Sequence, residues 1–254
     1  MIGADPSRLS LGWRGAVLVW AGVNLALALP LHIWLPGYSR EIRRGRRQSR
    51  DDERAADTAE APRISLLSIV LTALLFVLAG FAPSSMAAHL PGVLVSSGAS
   101  EEAALLAATL LGPGQVLARL LQVLFPRYFG PVRVAILALL LHPLAVGVLF
   151  LAGPSSVFAF AFIHGMGSGF LTVAAGILPL YLYGAKNYGE RQGYIMASAD
   201  IIMAFTPAIF SVALISFGPY SLVVTASAAI LALLILWWLV KGHNSQKGVP
   251  GDLT

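Results

Sequence analysis

Residues 38–63 read YSREIRRGRRQSRDDERAADTAEAPR, and this stretch decides how the rest of the chain folds. It holds eight arginines (Arg40, Arg43, Arg44, Arg46, Arg47, Arg50, Arg54, Arg63) and six acids (Glu41, Asp51, Asp52, Glu53, Asp57, Glu60), nearly half of the chain's charged side chains in about a tenth of its length. Apolar runs of roughly 20 residues or more flank it on both sides, long enough to cross a bilayer core of about 30 Å as helices. Arginines this dense beside a membrane segment stay in the cytoplasm, so the loop sets the orientation of every other segment. One apolar segment precedes it and six follow.

Composition agrees. The 254 residues are 57% hydrophobic and 11% charged, with a mean hydropathy of +0.78, whereas a soluble domain carries about a quarter charged residues. So few polar groups cannot cover a globule, and long apolar blocks differ from the short alternating segments of a β-barrel. The expected fold class is an all-α polytopic membrane protein with seven transmembrane helices. A net charge of +5 would suggest nucleic acid in a soluble protein. Here most basic residues sit in short loops beside the spans, so the expected partner is the lipid bilayer and not nucleic acid. The chain has no cysteine, which excludes a disulfide framework and thiolate metal sites.

Four regions follow: residues 1–37, a first span with a short outer N-terminus; 38–63, the basic cytoplasmic loop; 64–240, a six-helix bundle; and 241–254, a cytoplasmic tail. Ala26-Leu27-Ala28 resembles a signal-peptide cleavage site. Cleavage there would leave the arginine cluster outside, against the charge bias, so the first segment is read as a span. Within the bundle, breaks are expected at Pro83-Ser84-Ser85 and Pro91 in the second segment and at Gly112-Pro113-Gly114 in the third. Gly153-Pro154-Ser155-Ser156 and Gly218-Pro219 make uncharged outer turns. Arg127 and the Lys186/Glu190/Arg191 group mark inner loops. The expected location is the plasma or inner membrane, N-terminus outside and C-terminus cytoplasmic.

Ionisable groups at bilayer depth cost at least about 2.5 kcal/mol and face a partner or a wet cavity. Asp200 is the deepest, and Arg119 follows. Gln115 lies four residues before Arg119, on the same helix face and just past the Gly-Pro-Gly stretch. In a functional reading Arg119 and Gln115 bind an anionic solute and Asp200 is a counter-ion or proton carrier. The bland readings are a snorkelling arginine and an interface aspartate. His89 and His164, in kinked or Gly-rich segments, are further candidates for a cavity. No histidine has a second histidine or a carboxylate three or four residues on, so no metal site is expected. Gly165 and Gly169 have the spacing of close helix packing, and Asn24 reads as interhelical glue. No phosphate loop, nucleophile elbow or His-Glu-x-x-His motif is present, so neither enzymatic activity nor a cofactor is expected.

Three stretches carry a family resemblance. Gly12-Trp13-Arg14 opens a span that runs into a long basic loop. Arg127-Tyr128-Phe129-Gly130-Pro131-Val132-Arg133 joins two spans. A Gly-rich span ending Ile177-Leu178-Pro179-Leu180 is followed by Tyr188-Gly189-Glu190-Arg191-Gln192-Gly193. Together these resemble the sixth helix, central loop and C-terminal half of a major facilitator superfamily transporter. Gln115 with Arg119 is similar to the acid/arginine pair of monocarboxylate porters, with Gln in place of Asp. The resemblance implies that the seven segments are helices six to twelve and that the third and sixth line a cavity. It also implies alternating access for a small, possibly anionic solute, with possible proton coupling. Five helices of the family's first half have no counterpart here, so a partial chain or a partner chain is expected. The alternative is a non-transporting membrane remnant or assembly partner that keeps only the bundle.

Overall fold

The computed structural model describes residues 12–34 and 65–247. The loop at 38–63 and the last residues of the tail, 248–254, lie outside the described residues. The chain divides into two units, Met1–Pro62 and Arg63–Thr254. In the first, α1 (Gly12–Trp34) is a 23-residue helix whose apolar stretch is Val17–Leu31. Asn24 donates from Nδ2 to the Trp20 carbonyl at 2.8 Å. Its amide thus bonds its own helix.

The second unit is helical, with no strand among the described residues. Its elements are α2 (Leu66–Ser96), α3 (Glu101–Ala108), α4 (Leu111–Leu124), α5 (Pro131–Ala152), α6 (Val157–Tyr183), α7 (Tyr188–Met203), α8 (Thr206–Phe217) and α9 (Leu222–Lys247). Four stretches of helix are long and apolar enough to cross a membrane: Leu66–Ser96, Glu101–Leu124, Pro131–Tyr183 and Tyr188–Ser245. The last two fold back on themselves. Gly153 (φ +67°) and Gly218 (φ +55°) end α5 and α8 in a backbone region that favours glycine, and a proline starts the next turn.

Side-chain contacts align the helix ends. At one end the Tyr183 hydroxyl joins α6 to Ser68 and Thr72 of α2, and Tyr181 lies against His243 of α9. This is the basic end, with Arg127 in one of its links and Arg191 in the first turn of α7. At the other end Gly98 comes up to Pro154 and Phe150 faces Tyr220. α2 and α6 form the centre. Behind them α9 packs on α2 and α5, and α5 packs on α6; in front α4 flanks α6, while α7 and α8 flank α2. The core has two apolar layers. One, nearer the basic end, includes Leu75, Leu139, Leu178 and Ile195, and the other includes Met86, Leu90, Phe160 and Phe210.

The expected breaks in α2 do not occur: Pro83 and Pro91 lie inside a continuous 31-residue helix. Packed neighbours on most of its length hold such a helix together despite the missing N–H groups. The break in the third segment comes at Thr109-Leu110, ahead of Gly112-Pro113-Gly114, which is helical. A proline ring collides with the carbonyl four residues earlier, which for Pro113 is Thr109. The amides of Thr109 and Leu110 therefore tighten to i−3 carbonyls, Leu106 and Ala107. The sixth segment divides in the same manner, at Ala204-Phe205, with Pro207 in the first turn of α8.

Candidate functional site

Close approach of α4 and α6 builds the site. A Cβ on Gly169 would stand 2.6 Å from the Gln115 carbonyl and 2.8 Å from the Ala118 Cβ. One on Gly165 would meet the backbone of Leu111, and one on Gly114 the backbone of Phe162 and Met166. The small-residue spacing on α6 is therefore a packing surface with a matching glycine on α4. Between apolar helices in lipid, such backbone contact replaces the hydrophobic drive available in water.

The seam places Arg119 beside Thr172. The Arg119 Nη2 donates to Thr172 Oγ1 at 3.3 Å, and that hydroxyl donates to the Gly169 carbonyl at 2.8 Å. Both side chains are exposed, and Gln115 is half-buried where α4 crosses Gly169. Thr172 lies eleven residues before Tyr183, the end of α6, hence about 16 Å from the basic end at 1.5 Å per residue. Because Leu111 faces Gly165 and Gln115 and Ala118 face Gly169 along the seam, Thr172 stands level with Arg119, and the guanidinium reaches across to α6.

Asp200 is exposed on α7, one position after the buried Ala199. It lies twelve residues beyond Tyr188 and eight beyond Gln192, turned about 120° and 80° from them around the helix. Nearer the basic end α7 reaches α6: the Tyr188 hydroxyl donates to the Gly176 carbonyl at 2.7 Å and the Gln192 amide to the Ala175 carbonyl at 2.8 Å. α6 is thus flanked by α4, which carries the exposed Arg119, and by α7, which carries the exposed Asp200. Twelve residues from the start of α7, Asp200 lies about 18 Å in. Its carboxylate has no hydrogen bond or ion pair among the described residues.

The histidines separate from this group. His89 is half-buried, with Nε2 3.0 Å from the Pro207 carbonyl and its ring against Phe210, joining α2 to α8. His164, expected to face a cavity, is instead closed in at 2% exposure, with its Nδ1 3.2 Å from Nδ1 of His142, itself 1% exposed. One ring donates and the other accepts, so the two are different tautomers. Phe160 stacks on His164, and Gly167 lies against the His142 ring. The pair sits where the two apolar layers meet and locks α5 to α6. Sequence reasoning missed it, although the signal was present: His142 and His164 are each eleven residues from Gly153, and a helical hairpin pairs positions equidistant from its turn. Among the described residues no group of three or more His, Asp or Glu gathers as a metal site would require.

At the basic end Arg191 clamps the end of α6, donating to the carbonyls of Tyr183 (3.0 Å), Gly184 (3.1 Å) and Lys186. A cation there also complements the helix dipole. Comparison with known proteins adds nothing to this geometry: no family model matches the chain, and no curated protein matches it.

Proposed function

We propose that this chain forms one wall of a solute pathway through a cell membrane, as in a secondary transporter of the major facilitator type. In this reading the segments cross the bilayer seven times, α1 once and the second unit six times, with the basic loop and the C-terminus in the cytoplasm. The carrying observation is the Arg119–Thr172 contact. A charge in hydrocarbon costs at least about 2.5 kcal/mol, which favours an arginine stem bent toward the near headgroups. Arg119 instead engages a hydroxyl at its own level on α6, about 16 Å from the end of that helix, which is flanked on its other side by α7 with Asp200. Such a guanidinium is suited to a carboxylate-bearing solute, which it grips with two parallel N–H donors. Asp200, which makes no ion pair with Arg119 within the chain, is assigned the part of a proton carrier or of a counter-ion brought up across the face. Flanking helices interrupted at proline, with freed backbone groups, are a further property of transport pathways.

The test is flux. The full chain is reconstituted in vesicles and challenged with a panel of labelled small mono- and dicarboxylates at two pH values. At least one is expected to accumulate, and Arg119→Ala is expected to abolish that accumulation with Arg119→Lys restoring little, because an ammonium lacks the fork. Flux indifferent to Arg119→Ala, or none for any carboxylate, defeats the proposal. Sidedness is checked separately: protease added outside sealed cells should leave residues 38–63 uncut.

A further inference from the structure

The geometry points to a second copy of this chain as the occupant of the open face, pairing Arg119 of each copy with Asp200 of the other. The inference rests on the membrane-spanning reading above, but not on transport. Copies inserted with one orientation can be related by a two-fold axis only along the membrane normal. Such an axis through the open face places the α4 flank of one copy opposite the α7 flank of the other, twice. The two flanks carry opposite charges, Arg119 on α4 and Asp200 on α7, and both are exposed. Their levels correspond too: the guanidinium is held at Thr172, about 16 Å from the basic end, and Asp200 lies about 18 Å in. Among the described residues of one copy the carboxylate makes no ion pair, and the guanidinium's hydrogen bond is to a hydroxyl. The face is therefore self-complementary under the one symmetry the membrane permits. Each charge leaves lipid by meeting its opposite, and the solute site becomes a chamber with two such pairs. An anionic solute would then compete with the partner's Asp200 for Arg119.

Charge exchange in trans tests this. Two differently tagged copies of the full chain are co-expressed, extracted in lipid nanodiscs, and the co-captured fraction is measured. Wild type is expected to co-capture. Arg119→Asp alone, or Asp200→Arg alone, sets like charges across both contacts and should lower co-capture by about tenfold or more. Mixing the two single variants restores opposite charges at both contacts, and co-capture should return; this also shows that each variant folds. As the chain has no cysteine, Arg119→Cys combined with Asp200→Cys should form an oxidation-dependent dimer, and neither single substitution should. A monomeric wild type, co-capture unaffected by single reversal, no recovery on mixing, or a face filled by a different chain overturns the inference. Dimers that obey the swap but carry no solute leave it standing and defeat only the transport reading.

Discussion

Replacing Gly169 by alanine puts the α4–α6 seam to a quantitative test. The new Cβ would lie 2.6 Å from the Gln115 carbonyl and 2.9 Å from its Cα, while an ordinary contact begins at 3.4 Å. Both obstacles are backbone, so relief requires α4 to withdraw by about 0.8 Å. Overpacking of this kind costs about 1–3 kcal/mol, partly offset by the better helix propensity of alanine, up to about 1 kcal/mol. Gly176→Ala isolates the propensity gain, because nothing lies within 4 Å of a Cβ there. Thermal or denaturant unfolding in a single detergent should place Gly169→Ala below Gly176→Ala by about 1–3 kcal/mol. The same withdrawal stretches the Arg119–Thr172 contact from 3.3 Å to about 4.1 Å, beyond hydrogen-bond range. Solute affinity should therefore fall along with stability. Equal stabilities for the two variants would show that the helices are not in backbone contact at Gly169, and the placement of Arg119 would lose its support.

Other substitutions probe the remaining joints. Tyr183→Phe removes a hydroxyl shared by Ser68 and Thr72, and unfolding should be easier by about 1–2 kcal/mol; an unchanged midpoint would contradict the bond. His142→Leu strands the buried Nδ1 of His164 and should cost about 1–3 kcal/mol, whereas adding His164→Leu should recover much of the loss; strictly additive costs would deny the pairing. Arg191→Gln uncaps three carbonyls at the end of α6, and amide exchange at residues 184–187 should quicken; unaltered protection there would refute the clamp. Pro207→Ala returns an N–H to the Ala204-Phe205 joint. Stability should shift by no more than about 1 kcal/mol, since proline early in a helix is well tolerated, while flux should drop if the joint bends during transport.

Much of the architecture was legible in the chain because bilayer-length apolar runs and Gly-Pro turns have few alternative readings. The positions of the helix breaks were less so. Proline acts on the carbonyl four residues earlier, so the interruption at Thr109-Leu110 precedes the Gly-Pro-Gly stretch that signals it. Whether proline breaks a helix at all depends on its surroundings: Pro83 and Pro91 sit in the central α2 and leave it whole. The Arg119–Thr172 contact could not be read, because it joins helices that are not neighbours in sequence and depends on how closely the glycines let them approach. The His142–His164 pair is intermediate, recoverable by counting from the turn but not from any local spacing.

The distribution of breaks separates the bundle into parts with different mechanical roles. α2 and α6 contain Pro83, Pro91 and Pro179, yet each is one continuous helix. The two flanks, α3–α4 and α7–α8, are each interrupted, with Pro113 and Pro207 just beyond the joints. A central helix is enclosed by neighbours that keep its backbone in register; a flank is supported on one side only, so the proline's steric demand is met by a turn. The flanks are also where Arg119 and Asp200 lie, on the basic-end segments α4 and α7. Those segments are fastened to the centre by glycine contact at α4 and by the Tyr188 and Gln192 bonds at α7. Beyond the joints, α3 and α8 have fastenings of their own: Ala104 and Ala107 are buried, and His89 of α2 holds the Pro207 carbonyl and packs on Phe210. Under the proposed transport function, an entrance at the opposite end would have to open by releasing the His89 joint while Arg119 and Asp200 keep their places on the fastened segments.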